Sequence, residues 1–90
     1  MGTKIEKRKP TEAEIDKMGI RNWAIWDSPL DDFDWSYDEK EVFFVLEGDA
    51  EIDAGDQKVR FGPGDLIICT PPFECRWKIH KRIKKHYKFG

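Results

Sequence analysis

Glu41 is the residue of this chain best placed to do acid–base chemistry. It opens an apolar strand, EVFFVLEG (41–48), separated by three residues from the aromatic pattern FDWSY (33–37). Counted with period two, Trp35, Tyr37, Glu41, Phe43 and Val45 share one face, and Cys75 and Trp77 share a face of another strand. If both faces are the inside of one barrel, a carboxylate, a phenol and a thiol meet among indoles and a phenyl ring. A carboxylate desolvated there has its pKa raised and suits a general acid or base. Unpartnered, it costs several kcal/mol, so Glu41 calls either for a use or for a partner, with Tyr37 as that partner. On the first alternative, Glu41→Gln is expected to raise stability by removing a buried charge.

Cys75 has two readings, a nucleophile or a small buried hydrophobe. Nucleophilicity needs a lowered thiol pKa, and in a regular strand Arg76 points the other way. Trp35, Phe43 and Trp77 read as ligand walls or as barrel filling. Glu41, Cys75 and Tyr37 are also the available metal donors. Two good ligands and a phenol fall short of the three or four that a stable site takes, so no cofactor is expected.

The totals bound what these residues can serve. Ninety residues make one domain, 1–90, with hydrophobic residues at 39 %, charged residues at 38 % and four tryptophans. A net charge of −2 gives no bulk attraction to nucleic acid. No apolar run is long enough to span a bilayer. MGTKIEKRKP (1–10) has no apolar core of a secretory leader, and two cysteines make no disulfide scaffold. A reduced, cytoplasmic chain is the expectation.

The elements follow from punctuation and period. Thr11-Glu-Ala-Glu14 has the form of a capping box, predicting a short helix over 12–18 stopped by Gly19. Residues 21–30 read as an extended segment whose Trp23, Ile25 and Trp26 cover the second face of Val42–Leu46. Glu47-Gly48 breaks that strand, and residues 50–54 alternate beyond it. Turns at 54–57 and 62–65 and the loop at 70–73 separate strands over 58–61, 66–69 and from Cys75 onward. Short strands so punctuated indicate an antiparallel sandwich or barrel.

The last strand sorts Cys75, Trp77, Ile79, Ile83 and Tyr87 from a cationic face of Arg76, Lys78, His80, Arg82, Lys84, His86 and Lys88. Lys81 and Lys85 break the inner pattern, where the strand is expected to emerge. The cationic face is expected to pair with Asp49, Glu51 and Asp53 of another strand rather than to bind nucleic acid, since no aromatics interleave it.

The order of these pieces resembles a cupin. Glu41 and Gly48 keep the separation of the first cupin motif, and Gly64 falls at the start of the second. Trp35 and Tyr37 stand where that resemblance implies metal-binding histidines, and Cys75 stands for a third. More closely, WAIW (23–26), FDWSY (33–37), EVFFVLEG (41–48), GDL (64–66), CRW (75–77) and KHY (85–87) resemble the small cupins related to the ureidoglycine aminohydrolase cupin domain. The resemblance covers about residues 20–88, with 1–19 as an arm. It implies an all-β fold, a double-stranded β-helix jelly-roll barrel (RmlC-like) carrying one short N-terminal helix. It also implies a small polar, nitrogenous or ureido ligand inside the barrel. The alternative function is a non-catalytic, metal-free cupin acting through its surface, as a homodimer or a protein-interaction module.

Overall fold

The computed structural model describes residues 4–90; the first three residues of the expected arm lie outside the described residues. Among the described residues, seven strands, β1 (Ile5–Arg8), β2 (Ala24–Ser28), β3 (Asp31–Tyr37), β4 (Glu41–Asp53), β5 (Lys58–Phe61), β6 (Leu66–Cys69) and β7 (Phe73–Phe89), follow one another with a single α-helix, α1 (Glu12–Met18), after β1. All the pairings are antiparallel. The two long strands form the spine. On its other edge β4 meets β6 with its first half and β5 with its second. Likewise β7 meets β3 with its first half and β2 with its last turn of sequence. The arrangement wraps a jelly-roll barrel around one apolar interior.

That interior holds Tyr37, Phe43, Val45, Ala50, Ile52, Phe61, Ile67, Cys69, Trp77, Ile79 and Ile83, all buried. The alternation in β4 changes parity on the way. Phe43 and Val45 point inward before Gly48, and Ala50 and Ile52 point inward after it. The reversal is a set of register shifts against β7 between Val45 and Ala50. A bulge of this kind re-aims side chains without ending the strand, so the break expected at Glu47-Gly48 is a bend inside one continuous strand. Gly48 has φ +105°, and a Cβ on it would overlap the Arg82 carbonyl oxygen and approach the Ile83 Cα to 2.7 Å. Only glycine fits there at no steric cost.

A second, smaller cluster lies on the outer side of β4, where Val42 and Leu66 pack with Ile15, Ile20 and Trp23. The helix that supplies Ile15 is fixed as its sequence predicts. Thr11 Oγ1 accepts from the Glu14 amide at 3.2 Å, Glu14 Oε1 accepts from the Thr11 amide at 3.1 Å, and Gly19 closes the helix in the left-handed region. Of the three side chains expected over this face, Trp23 covers it. Ile25 is 53 % exposed, and Trp26 packs against the barrel interior. The N-terminal arm also contains a strand that the sequence analysis missed. In IEKR only Ile5 is buried, and backbone pairing holds β1 on the edge of β6.

The cationic face of β7 meets the acidic residues of β4 as expected, with Glu51 opposite Lys78 and Asp53 opposite Arg76. His80 lies 2.8 Å from Glu51, Arg82 reaches Asp27 of β2 at 2.8 Å, and Arg76 reaches Asp34 of β3 at 3.0 Å. Such exposed pairs contribute little each; they fix which charges face outward. Among the described residues no helix is long and apolar enough to cross a membrane.

Gly48→Ala is expected to destabilise the protein by more than about 1 kcal/mol, because alanine there is strained and collides with backbone. Urea unfolding at neutral pH measures it, with Gly55→Ala as the comparison, since nothing lies within 4 Å of that position.

Candidate functional site

Glu41 begins β4, Tyr37 ends β3, and Lys85 sits late in β7 on the parity of Trp77 and Ile83. Each is buried: Tyr37 is 1 % exposed, Glu41 4 % and Lys85 4 %. The Glu41 carboxylate joins them. Its Oε1 accepts from the Tyr37 hydroxyl at 2.6 Å and its Oε2 accepts from the Lys85 ammonium at 3.1 Å. A carboxylate and an ammonium at such a distance, both out of water, attract strongly. They also carry a desolvation cost of several kcal/mol per ion.

Aromatic rings surround the ammonium. Lys85 Nζ lies 3.9 Å from the ring centre of Phe43, 4.5 Å from that of Trp77 and 4.9 Å from that of Trp26. A desolvated cation over an aromatic face gains up to about 2 kcal/mol, so the rings offset part of the cost of its burial. Burial lowers the Lys85 pKa from the usual lysine value, with Glu41 opposing the shift. The Tyr37 hydroxyl is pushed up by burial first, then by the Glu41 charge and by Cys69.

This cluster is the floor of a cavity of about 200 Å³ that opens to solvent. Trp26, Phe33, Trp35, Trp77, Tyr87 and Phe89 wall it. Phe33 stacks on Trp77 with centroids 5.9 Å apart and planes within 6°, and Trp26 meets both rings edge-on. Trp35 and Phe89, each 46 % exposed, form part of the rim. The volume is below the roughly 300–1,000 Å³ of drug-sized sites, so the cavity suits a small occupant.

The structure brings Glu41, Tyr37, Trp35 and Trp77 together at this cavity and separates two other expected site residues from it. Phe43 is fully buried behind Lys85 and does not line the cavity. Cys75 faces the Trp35 carbonyl oxygen, with Sγ 3.5 Å away, and lies outside the cavity lining. Its thiol is pushed up to about 11, chiefly by burial. A thiol so shifted stays protonated near neutral pH, which favours the buried-hydrophobe alternative for Cys75. The thiol next to the site is instead Cys69, opposite Glu41 in the pairing of β4 with β6 and beside the Tyr37 hydroxyl. Burial pushes it up to about 12.

Lys85 is the residue that sequence reasoning missed. It was expected to emerge with the end of β7, yet it is as buried as Glu41. The available signal was a charged residue on an otherwise apolar parity between Ile83 and Tyr87. Glu41 thus has the expected partner Tyr37 and a second one, Lys85, which argues against a stabilising effect of Glu41→Gln. Lys85 also decides how well a metal fits. Glu41 already accepts from a phenol and an ammonium, Cys75 points elsewhere, and the ammonium would repel a cation. Glu41, Cys75 and Tyr37 thus offer a metal a poor donor set, and among the described residues no three His, Cys, Asp or Glu side chains group closely.

Residues 16–87 match the family described as the EutQ-like cupin domain. The chain belongs to that family. Among solved structures, this cupin is similar to a DUF861-family protein from Thermotoga maritima, with 32 % identity over 96 % of this chain and 99 % of that one, and a TM-score of 0.92. It shares its fold with the EutQ protein of Clostridium difficile, at 20 % identity and a TM-score of 0.67, covering 72 % of this chain. A putative ethanolamine utilization protein Q from Salmonella typhimurium is similar at 15 % identity and a TM-score of 0.66, also over 72 % of this chain. The cupin spans about half the length of these two proteins, 52 % and 53 %. No curated protein matches the chain. The neighbours agree with the jelly-roll fold that the resemblance implies.

Two outcomes follow from the buried cluster. Glu41→Gln is expected to destabilise the cupin by about 3–5 kcal/mol, since it strands a buried ammonium. Glu41→Gln combined with Lys85→Met should recover most of that loss in a denaturant titration. The second outcome concerns alkaline pH. In the unfolded chain, thiol and phenol ionise at about pH 8.5 and about pH 10, whereas folded Cys69 and Tyr37 keep their protons there. The folded state then binds more protons, so these two groups make stability fall as pH rises through that range. Lys85, with its pKa lowered, acts in the opposite sense over part of it. Tyr37→Phe removes the phenol's share, so between about pH 9 and about pH 11 it should lose about 1 kcal/mol less than the wild type.

Proposed function

We propose that this cupin binds a small, flat organic molecule in the aromatic cavity, anchored through a polar atom by Lys85 and without a metal. One observation carries the reading: an ammonium is buried against Glu41 at the bottom of a cavity that opens to solvent. A buried ion pair is weak evidence for stability, because apolar residues of the same volume often serve a core as well or better. Its position beneath stacked and edge-on rings supports a role in recognition. Two of the three ammonium protons are left beyond the one given to Glu41, and they can serve a carbonyl or carboxylate oxygen of a ligand. The rings supply the apolar area. Small ureido acids, which the resemblance to the aminohydrolase cupins implies, offer such oxygens and belong in the first screen beside aromatic acids and carbonyl compounds.

The exposed Trp35 and Phe89 favour a second reading for the rim alone, contact with a second copy of the chain or with another protein. Trp35→Asp separates the readings, because loss of a dimer in sedimentation with an unchanged ligand response assigns the rim to assembly.

A thermal-shift screen tests the proposal. At a ligand concentration one hundred times Kd, binding should add about 2.7 kcal/mol, a shift of several degrees for a chain of this size. The same ligand should quench tryptophan fluorescence, as Trp26, Trp35 and Trp77 wall the cavity. Glu41→Gln/Lys85→Met should abolish both responses. Elemental analysis of protein purified without chelator or metal resin should find less than about one-tenth of an equivalent of transition metal per chain, as the donor set is too small. A full equivalent would overturn the metal-free part of the proposal.

A further inference from the structure

We propose that Lys85 forms an imine with a small carbonyl compound, with Glu41 as its proton partner, so that the cavity is a covalent carbonyl site. The inference rests on the cavity reading above and names its ligand class. The geometry of the cavity floor supports it. Lys85 Nζ stands at the floor of an open cavity with rings on several sides and one carboxylate oxygen at 3.1 Å. Burial at this position favours the neutral, nucleophilic amine over the ammonium, although Glu41 opposes that shift. Glu41 is placed to take the proton that the amine must lose. Its other oxygen is held by Tyr37 at 2.6 Å, which fixes the carboxylate in place.

The step balances without any co-reactant. The Lys85 ammonium passes a proton to Glu41, and the freed nitrogen lone pair attacks the carbonyl carbon. The carbonyl π pair moves to oxygen, which takes up a proton, and nitrogen gives one up. The carbinolamine hydroxyl then receives the proton held by Glu41 and leaves as water with the C–O electron pair, while the nitrogen lone pair closes the C=N bond. Net, an ammonium and a carbonyl give an iminium and water. Glu41 returns to its carboxylate, and the positive charge it pairs with is kept. The rings that faced the ammonium face the iminium in turn. A flat substituent on the carbonyl carbon lies between the walls at Trp26, Phe33 and Trp77.

The test uses the full chain with benzaldehyde and sodium cyanoborohydride, which reduces an iminium to a stable N-benzyl amine, followed by peptide mapping. Lys85 is expected to be labelled at least about tenfold faster than Lys84 or Lys88, although both of these are more exposed, because only its amine is activated. Benzyl alcohol fills the same space but forms no imine; it should quench the cavity tryptophans and slow Lys85 labelling. Glu41→Gln/Lys85→Met removes both charges together, so its circular dichroism and melting temperature show that the barrel persists. Its remaining lysines should label at their wild-type rates. Labelling of Lys85 no faster than that of its neighbours overturns the imine. If benzyl alcohol still quenches in that case, the cavity reading stands alone; if it does not, both fall.

Discussion

The Lys85–Glu41 pair constrains the rest of this cupin. Two opposite charges out of water must meet each other and find further partners, and every nearby element supplies part of the answer. The first residue of β4 brings the carboxylate, the last of β3 a phenol, and the late part of β7 the ammonium. Phe43, Trp77 and Trp26 bring ring centres to 3.9, 4.5 and 4.9 Å from the ammonium. Two consecutive strands and a third, whose Lys85 lies forty-four positions from Glu41, therefore close on one point, where the two charges meet.

Closure of this kind depends on register, and register depends on the bend at Gly48. A regular strand through 41–53 would keep Phe43 and Val45 inward and then aim Asp49 and Glu51 into the barrel. The shifts between Val45 and Ala50 put Ala50 and Ile52 inside instead. The acidic residues are then free to meet the outer face of β7 and β5, as in the bidentate contact of Arg60 with Asp49 at 2.9 and 2.7 Å. One backbone irregularity serves both the apolar interior and the charged exterior.

The two faces of β4 also divide the aromatic residues by task. Trp23 lies with Ile15 and Ile20 on the outer side, where it shields Val42 and gives its carbonyl to His86 at 3.0 Å. Trp26, three residues on, belongs to the cavity. Opposite duties at this spacing reflect the change from the turn ending at Asn22 to the strand beginning at Ala24. The two thiols are divided as well. Cys69 is wholly inside beside Tyr37, and Cys75 is turned to a backbone carbonyl. Both are held as thiols by burial, which leaves an amine, a carboxylate and a phenol as the polar groups at the cavity floor.

The sequence by itself determined most of the elements and their faces, though not β1. Helix α1 was legible because the capping box and Gly19 act locally. The strands were legible because period-two alternation and Gly-Pro punctuation are local too, and ordered short motifs then pointed to the cupin fold. Glu41, Tyr37, Trp35 and Trp77 were legible as inward residues for the same reason. What tertiary structure decided was which inward residues meet. Lys85 looked like the frayed end of a strand because nothing within several residues of it is acidic; its partner lies forty-four positions away in sequence. Phe43 and Cys75 shared the right parity, yet parity cannot say which inward side chain reaches the open end of a barrel. Pairing across strands sets that depth, and it brought the Lys85 ammonium to a carboxylate for which the sequence had offered either a use or Tyr37 as partner.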